Sequence, residues 1–138
     1  MSKSTGSLFE QKFIVEALSR GLHPHQPIGD YLPHDVIVTN NAGRSFKVQI
    51  KGTSNAHRES DRPNYRWRIT ASTGRSNSKI PIDCSKVDAI AAYVETLDAW
   101  YVIPCLQVTS MAVWLYPNNP KSRGRYEKYR DNWDYFLG

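Results

Sequence analysis

The chain has 138 residues, enough to bury a core as one domain spanning 1–138 without disulfide or metal staples. Its 18 Lys and Arg against 13 Asp and Glu leave a formal charge of +5, which favours a polyanion over acidic proteins or neutral solutes, nucleic acid first. No stretch has the length and apolarity of a membrane span, the N-terminal MSKSTGSLFEQKF lacks a signal-peptide core, and Cys84 and Cys105 fit no CxxC or metal-ligand spacing, so an intracellular protein with reduced thiols and no membrane partner is expected.

Phe9, Phe13, Ile14, Ala17 and Leu18 recur at helical spacing, and Gly21 is a plausible stop, which predicts a helix from about Ser7 to Arg20. LHPHQPIGDYLPH, with its prolines and glycine, reads as an irregular connection. DVIVT (35–39) and SFKVQIK (45–51) are β-rich runs around the turn formers NNAG, a hairpin signal. A loop of three or five residues centred on Ala42 sets Asp35 opposite Gln49 on one face; a one-residue slip separates them. GTSNAHRESDRPN and STGRSNSK read as polar loops flanking a strand, YRWRIT. KVDAIAAYV and YVIPC give two more strands around a turn, MAVWLYP gives a last one, and PNNPKSRGR leads to a terminal helix. That helix is expected to carry Tyr126, Tyr129, Trp133 and Phe136 on one face, as core or subunit interface. Helix, strands, helix in this order predict an α/β fold, a mixed sheet flanked by helices.

Within that order, Glu10 on the helix, Asp35 at a strand start, and Gln49 with Lys51 on the hairpin partner form a chemical set. Gln49 and Lys51 project to the face opposite Val48 and Ile50 because strand side chains alternate. Two carboxylates suit Mg²⁺, a hard ion that takes oxygen ligands and keeps several waters. Gln49 adds a neutral oxygen, the backbone carbonyl of Ile50 is a further candidate ligand, and Lys51 would stand beside the bound water or a scissile phosphate. These are the parts of phosphodiester hydrolysis: a cation that polarises phosphate and acidifies water, and a lysine that steadies developing charge. Each residue also has a structural reading, Ser7 with Glu10 as a capping box and Asp35 as a polar strand start.

GSLFEQKFIVEALSRG, PHDVIV and KVQIKGT together resemble the core of the PD-(D/E)XK nucleases, in the order Glu, Asp, a variable acidic or amide position, and Lys. The likeness is nearest to group I intron-encoded homing endonucleases, with archaeal-type Holliday junction resolvases as relatives. KVDAIAAYVETLDAWYVIP and RGRYEKYRDNWDYF extend the similarity over nearly the whole chain. The resemblance implies a restriction-endonuclease-like fold, Glu10 and Asp35 as metal ligands and Lys51 as the catalytic lysine, with Mn²⁺ able to replace Mg²⁺. Gln49 stands where many members have an acid, and it resembles the intron-associated variant of the site. It removes one negative charge from the metal site. A Mg²⁺-dependent double-strand DNA endonuclease of the homing kind, acting as a homodimer or homotetramer, is the expectation. A junction resolvase and a catalytically inactive DNA-binding protein are the alternatives.

His23, His25, His34 and His57 read as surface loop histidines, with His57, Arg58 and Arg62 a candidate phosphate contact. Arg66 and Arg68 alternate with Tyr65, Trp67 and Ile69, and are expected to track a DNA backbone or read a guanine edge. Arg75, Lys79, Lys121, Arg123 and Arg125 would add phosphate neutralisation.

Overall fold

Strand β3 (Ser45–Thr53) organises the molecule: Phe46, Val48 and Ile50 face one hydrophobic core, while Gln49 and Lys51 turn to the other side. The computed structural model describes residues 3–29, 31–58, 65–73, 78–119 and 124–138. Helix α1 (Lys3–Ser19) is followed by β1 (His23–His25), β2 (Val36–Thr39), β3, β4 (Ala56–Arg58), β5 (Tyr65–Thr70), β6 (Ser72–Thr73), β7 (Ile80–Pro81), β8 (Ala89–Val94), β9 (Ala99–Pro104) and β10 (Ala112–Leu115). A five-stranded sheet has the order β1-β2-β3-β8-β9, in which only β3 and β8 run parallel. A three-stranded sheet, β10-β5-β4, and a two-stranded ribbon, β6-β7, complete the strands described. This is the expected mixed α/β class.

The main sheet is buried on both sides. Helix α1 covers one face with Phe9, Phe13 and Ala17, spaced one helical turn apart, against Val36, Val48, Ala91 and Trp100. The second sheet covers the other with Trp67, Ile69, Val113 and Leu115 against Ile90, Ala92, Tyr101 and Ile103. Central strand β8, AIAAYV, is accordingly buried along its whole length, the pattern of a strand covered on two faces. Leu18, expected in the apolar face of α1, is exposed.

Gly21 ends α1 as its sequence suggests. At φ 76° its N–H donates to Leu18 O, and the N–H of buried Leu22 donates to Ala17 O. These two bonds form a Schellman closure, which needs the left-handed residue. The helix begins at Lys3, which places Ser7 in its interior and removes the capping-box reading of Ser7 and Glu10.

Three other expectations are corrected. The terminal segment is not an α-helix: two 3-10 turns, Glu127–Tyr129 and Trp133–Leu137, are separated by Asp131 at φ 54°. The Asp131 N–H donates to Trp100 O at 2.9 Å, so pairing with the edge of β9 outcompetes helix continuation there. The aromatic stripe is nonetheless core, with Tyr126, Trp133 and Phe136 buried. Cys84 and Cys105 form a disulfide; the turn after β7 and the end of β9 bring them together across 21 residues of sequence. Finally, His23 and His25 belong to β1, His57 belongs to β4, and His34 is a buried residue.

Candidate active site

The β2–β3 hairpin has the five-residue loop that aligns the site. Thr39 pairs with Ser45 and Val36 with Val48, so the register continues to Asp35 opposite Gln49. Asn40 fixes that loop by accepting from the N–H groups of Ala42 and Arg44, both at 3.0 Å. At the strand end the Asp35 N–H donates to Val48 O at 2.9 Å, and the Ile50 N–H donates to Asp35 Oδ2 at 2.8 Å. Ile50 thus holds the Asp35 carboxyl through its N–H.

Glu10 reaches the same carboxyl from α1, and its side chain is hydrogen-bonded to Asp35. Burial pushes the Asp35 carboxyl above its ordinary range, against the pull of the Ile50 N–H, Glu10 and the Lys51 charge. A hydrogen bond between two carboxyl groups requires a proton on one of them. A divalent cation can take the place of that proton.

Gln49 is buried, and its Oε1 has no hydrogen-bond partner. An orphaned buried acceptor costs about 1–3 kcal/mol, and an oxygen-seeking cation would remove that cost. The carboxyl pair suits a hard divalent ion, and the amide oxygen, on the strand position opposite Asp35, is a donor of the type such an ion takes. Among the described residues no cluster of three or more acidic, imidazole or thiol groups could hold a metal, so neutral oxygens, water or phosphate would have to complete the ligand set.

Lys51 projects from β3 and donates from Nζ to Ser72 O at 3.0 Å. Burial draws its ammonium below the ordinary lysine range; Asp35 opposes that shift and Lys79 adds to it. Ser72 lies on the β6-β7 ribbon, so this anchor comes from a segment whose role no sequence motif signals. Gly52 is a second residue without such a signal: a Cβ there would lie 2.3 Å from the Phe9 ring. Bare backbone at Gly52 lets α1 seat close to β3 and brings Glu10 to the site.

Two cavities flank the group. One of about 470 Å³ is lined by Lys51, Arg68, Thr70, Ser72 and Lys79 among others. The other, about 170 Å³, is lined by Glu10, Gln26, Leu32, His34 and Asp35 with Pro27 and Gly29. The larger one is edged by three cations, the charge a nucleic-acid backbone would meet.

The expected DNA contacts separate into groups. Arg68 is exposed on β5, Lys79 lines the same cavity, and Arg58 is exposed on β4. Arg66 is half-buried with its guanidinium 3.8 Å from the ring centre of Trp114, a stacking partner that the pattern of MAVWLYP does not reveal. His57 pairs with Arg66 across the strands and meets the same indole edge-on, with ring centres 5.5 Å apart. Arg125 stacks near Tyr126, while Arg62, Arg75, Lys121 and Arg123 lie outside the described residues.

The family described as PD-(D/E)XK endonuclease matches residues 1–136. The fold is similar to the solved structure of a bacterial homing endonuclease, I-Ssp6803I, at a TM-score of 0.79 and 26% identity, covering 99% of this chain and 93% of that one. No curated protein matches the sequence.

Proposed function

Because this chain belongs to the PD-(D/E)XK endonuclease family, we propose that it is a Mg²⁺-dependent enzyme of the homing kind, cutting both strands of duplex DNA at a specific site as a homodimer or homotetramer. The observation that carries the reading is the meeting of Glu10 with the Asp35 carboxyl, on which the Lys51 charge also acts, at the strand end where Gln49 is buried with an unpartnered oxygen. Glu10, Asp35 and Gln49 would hold the ion, with the Ile50 carbonyl as a further candidate, and Mn²⁺ would substitute. A divalent cation in such a site polarises a phosphoryl oxygen and acidifies water.

The chain's own groups supply the rest. Lys51, held by Ser72 O, offers positive charge to the phosphate as negative charge develops on it. Partial burial of that ammonium strengthens the interaction relative to one made in water. Arg68 and Lys79 engage the neighbouring backbone from the larger cavity, Arg58 and Arg66 add contacts from β4 and β5, and Arg75, outside the described residues, is included for its charge alone. The oligomer is supported by the exposed apolar row Leu8, Val15 and Leu18 on α1, and by the need for two sites to cut two strands. Acting on DNA, the enzyme would work inside the cell.

Cleavage of a plasmid library by the wild type, Asp35→Ala and Lys51→Ala, with Mg²⁺ and with EDTA, tests the proposal. Metal-dependent cutting by the wild type alone is expected. Tight duplex binding without cutting would favour an inactive DNA-binding protein, and preference for four-way junctions over linear duplex would favour a resolvase.

A further inference from the structure

His34 stands beside the candidate ligand Asp35 in PHDVIV, yet no step of the proposed chemistry uses it. The residue is 5% exposed, and its Nε2 is buried with no hydrogen-bond partner. A histidine kept only for packing would be expected to pair both ring nitrogens or leave one in water, since a buried polar atom without a partner is costly. The same imidazole lines the 170 Å³ cavity that Glu10 and Asp35 share. That volume accommodates several waters, each occupying about 30 Å³.

We propose that His34 is a positioning residue whose Nε2 accepts a hydrogen bond from a water retained by the cation between Glu10 and Asp35. The inference rests on the metal-site reading above. A hard divalent ion keeps several waters, and each needs acceptors beyond the carboxylates to fix its orientation. Neutral imidazole supplies one such acceptor, and the role requires no change in its charge. Direct ligation is the less fitting arrangement, because an imidazole ligand suits transition metals more than Mg²⁺, and the described residues form no three-residue His and carboxylate cluster.

The test is a titration of the DNA-free full chain with Mg²⁺ and with Zn²⁺, read by calorimetry and by the rise in melting temperature. The chains compared are the wild type, His34→Leu, His34→Gln and Asp35→Asn. His34→Leu is expected to weaken Mg²⁺ binding about 10–100-fold, the range typical for loss of an outer-shell partner. His34→Gln, whose amide reaches near the Nε2 position, is expected to recover most of that loss. Equal Mg²⁺ affinity in the wild type and His34→Leu would overturn the inference. So would a loss confined to Zn²⁺, which marks a direct ligand, or an equal loss in His34→Gln, which marks a packing role. Asp35→Asn separates the two readings: if it binds Mg²⁺ as the wild type does, the metal site itself is misplaced.

Discussion

Gly52 and Phe9 are in such close approach that a methyl group on the glycine would lie 2.3 Å from the ring. The contact sits between Lys51 on β3 and Glu10 on α1, each adjacent in sequence to one of the pair. Gly52→Ala must therefore displace Phe9 or the strand. Overpacking of this kind costs about 1–3 kcal/mol. Cleavage is expected to fall further than stability explains, by about 100-fold, because a shift near 1 Å in a catalytic group has that effect. Thermal melting and single-turnover cleavage check it; Phe9→Leu in the same chain should return part of both.

Asp35 sets stability against function. Its carboxyl is raised by burial above its ordinary 3.8, so the native state favours the protonated form. The associated stability is present below 3.8 and is lost as pH rises through the higher folded value. In EDTA at neutral pH, Asp35→Asn should melt at a higher temperature than the wild type, and the gap should close as pH is lowered toward 4. Mg²⁺ at a hundredfold excess over Kd should stabilise the wild type by about 2.7 kcal/mol and leave the variant unmoved. Melting curves over a pH series, with and without metal, decide this.

Cys84–Cys105 closes a loop across 21 residues that contains β8 and β9. Constraint of the unfolded chain by such a loop is worth about 3 kcal/mol. Cys84→Ala, or a reductant, should lower stability by that order. Chemical denaturation with and without reductant measures it, and an oxidised wild type as labile as Cys84→Ala would show that the bond contributes nothing.

Arg66 rests on Trp114, whereas Arg68 is exposed to the cavity beside Lys51. Arg66→Ala and Trp114→Ala should each weaken DNA binding, and the double variant should be no weaker than the worse single one, because both remove one positioned guanidinium. Arg68→Ala and Lys79→Ala should each reduce the slope of log affinity against log salt by about 1. Binding titrations between low and moderate salt separate these behaviours.

Some of these positions are legible in the order of residues alone. The alternation in SFKVQIK and the turn formers after DVIVT announce the hairpin by local rules, and the five-residue loop that the structure shows selects the register with Asp35 opposite Gln49. The expected strands in YRWRIT, AIAAYV, YVIPC and MAVWL all form. The terminal stripe misleads because steps of three and four suit successive 3-10 turns as well as an α-helix, and only docking on β9 distinguishes them. His34 resembles a surface histidine among prolines, and nothing local reveals that its ring is buried against the carboxylate cavity.

By itself, then, the sequence determined helix α1, the longer strands, the β2–β3 hairpin and the face that Gln49 and Lys51 share, because these depend on residues within a few positions of one another. Tertiary structure alone decided that Glu10 meets the Asp35 carboxyl, that Ser72 holds Lys51, that His34 borders their cavity and that Cys84 joins Cys105. Each of those contacts crosses elements separated by many residues. Their geometry depends on how closely α1 and the ribbon pack against the main sheet, which no periodicity along the chain encodes.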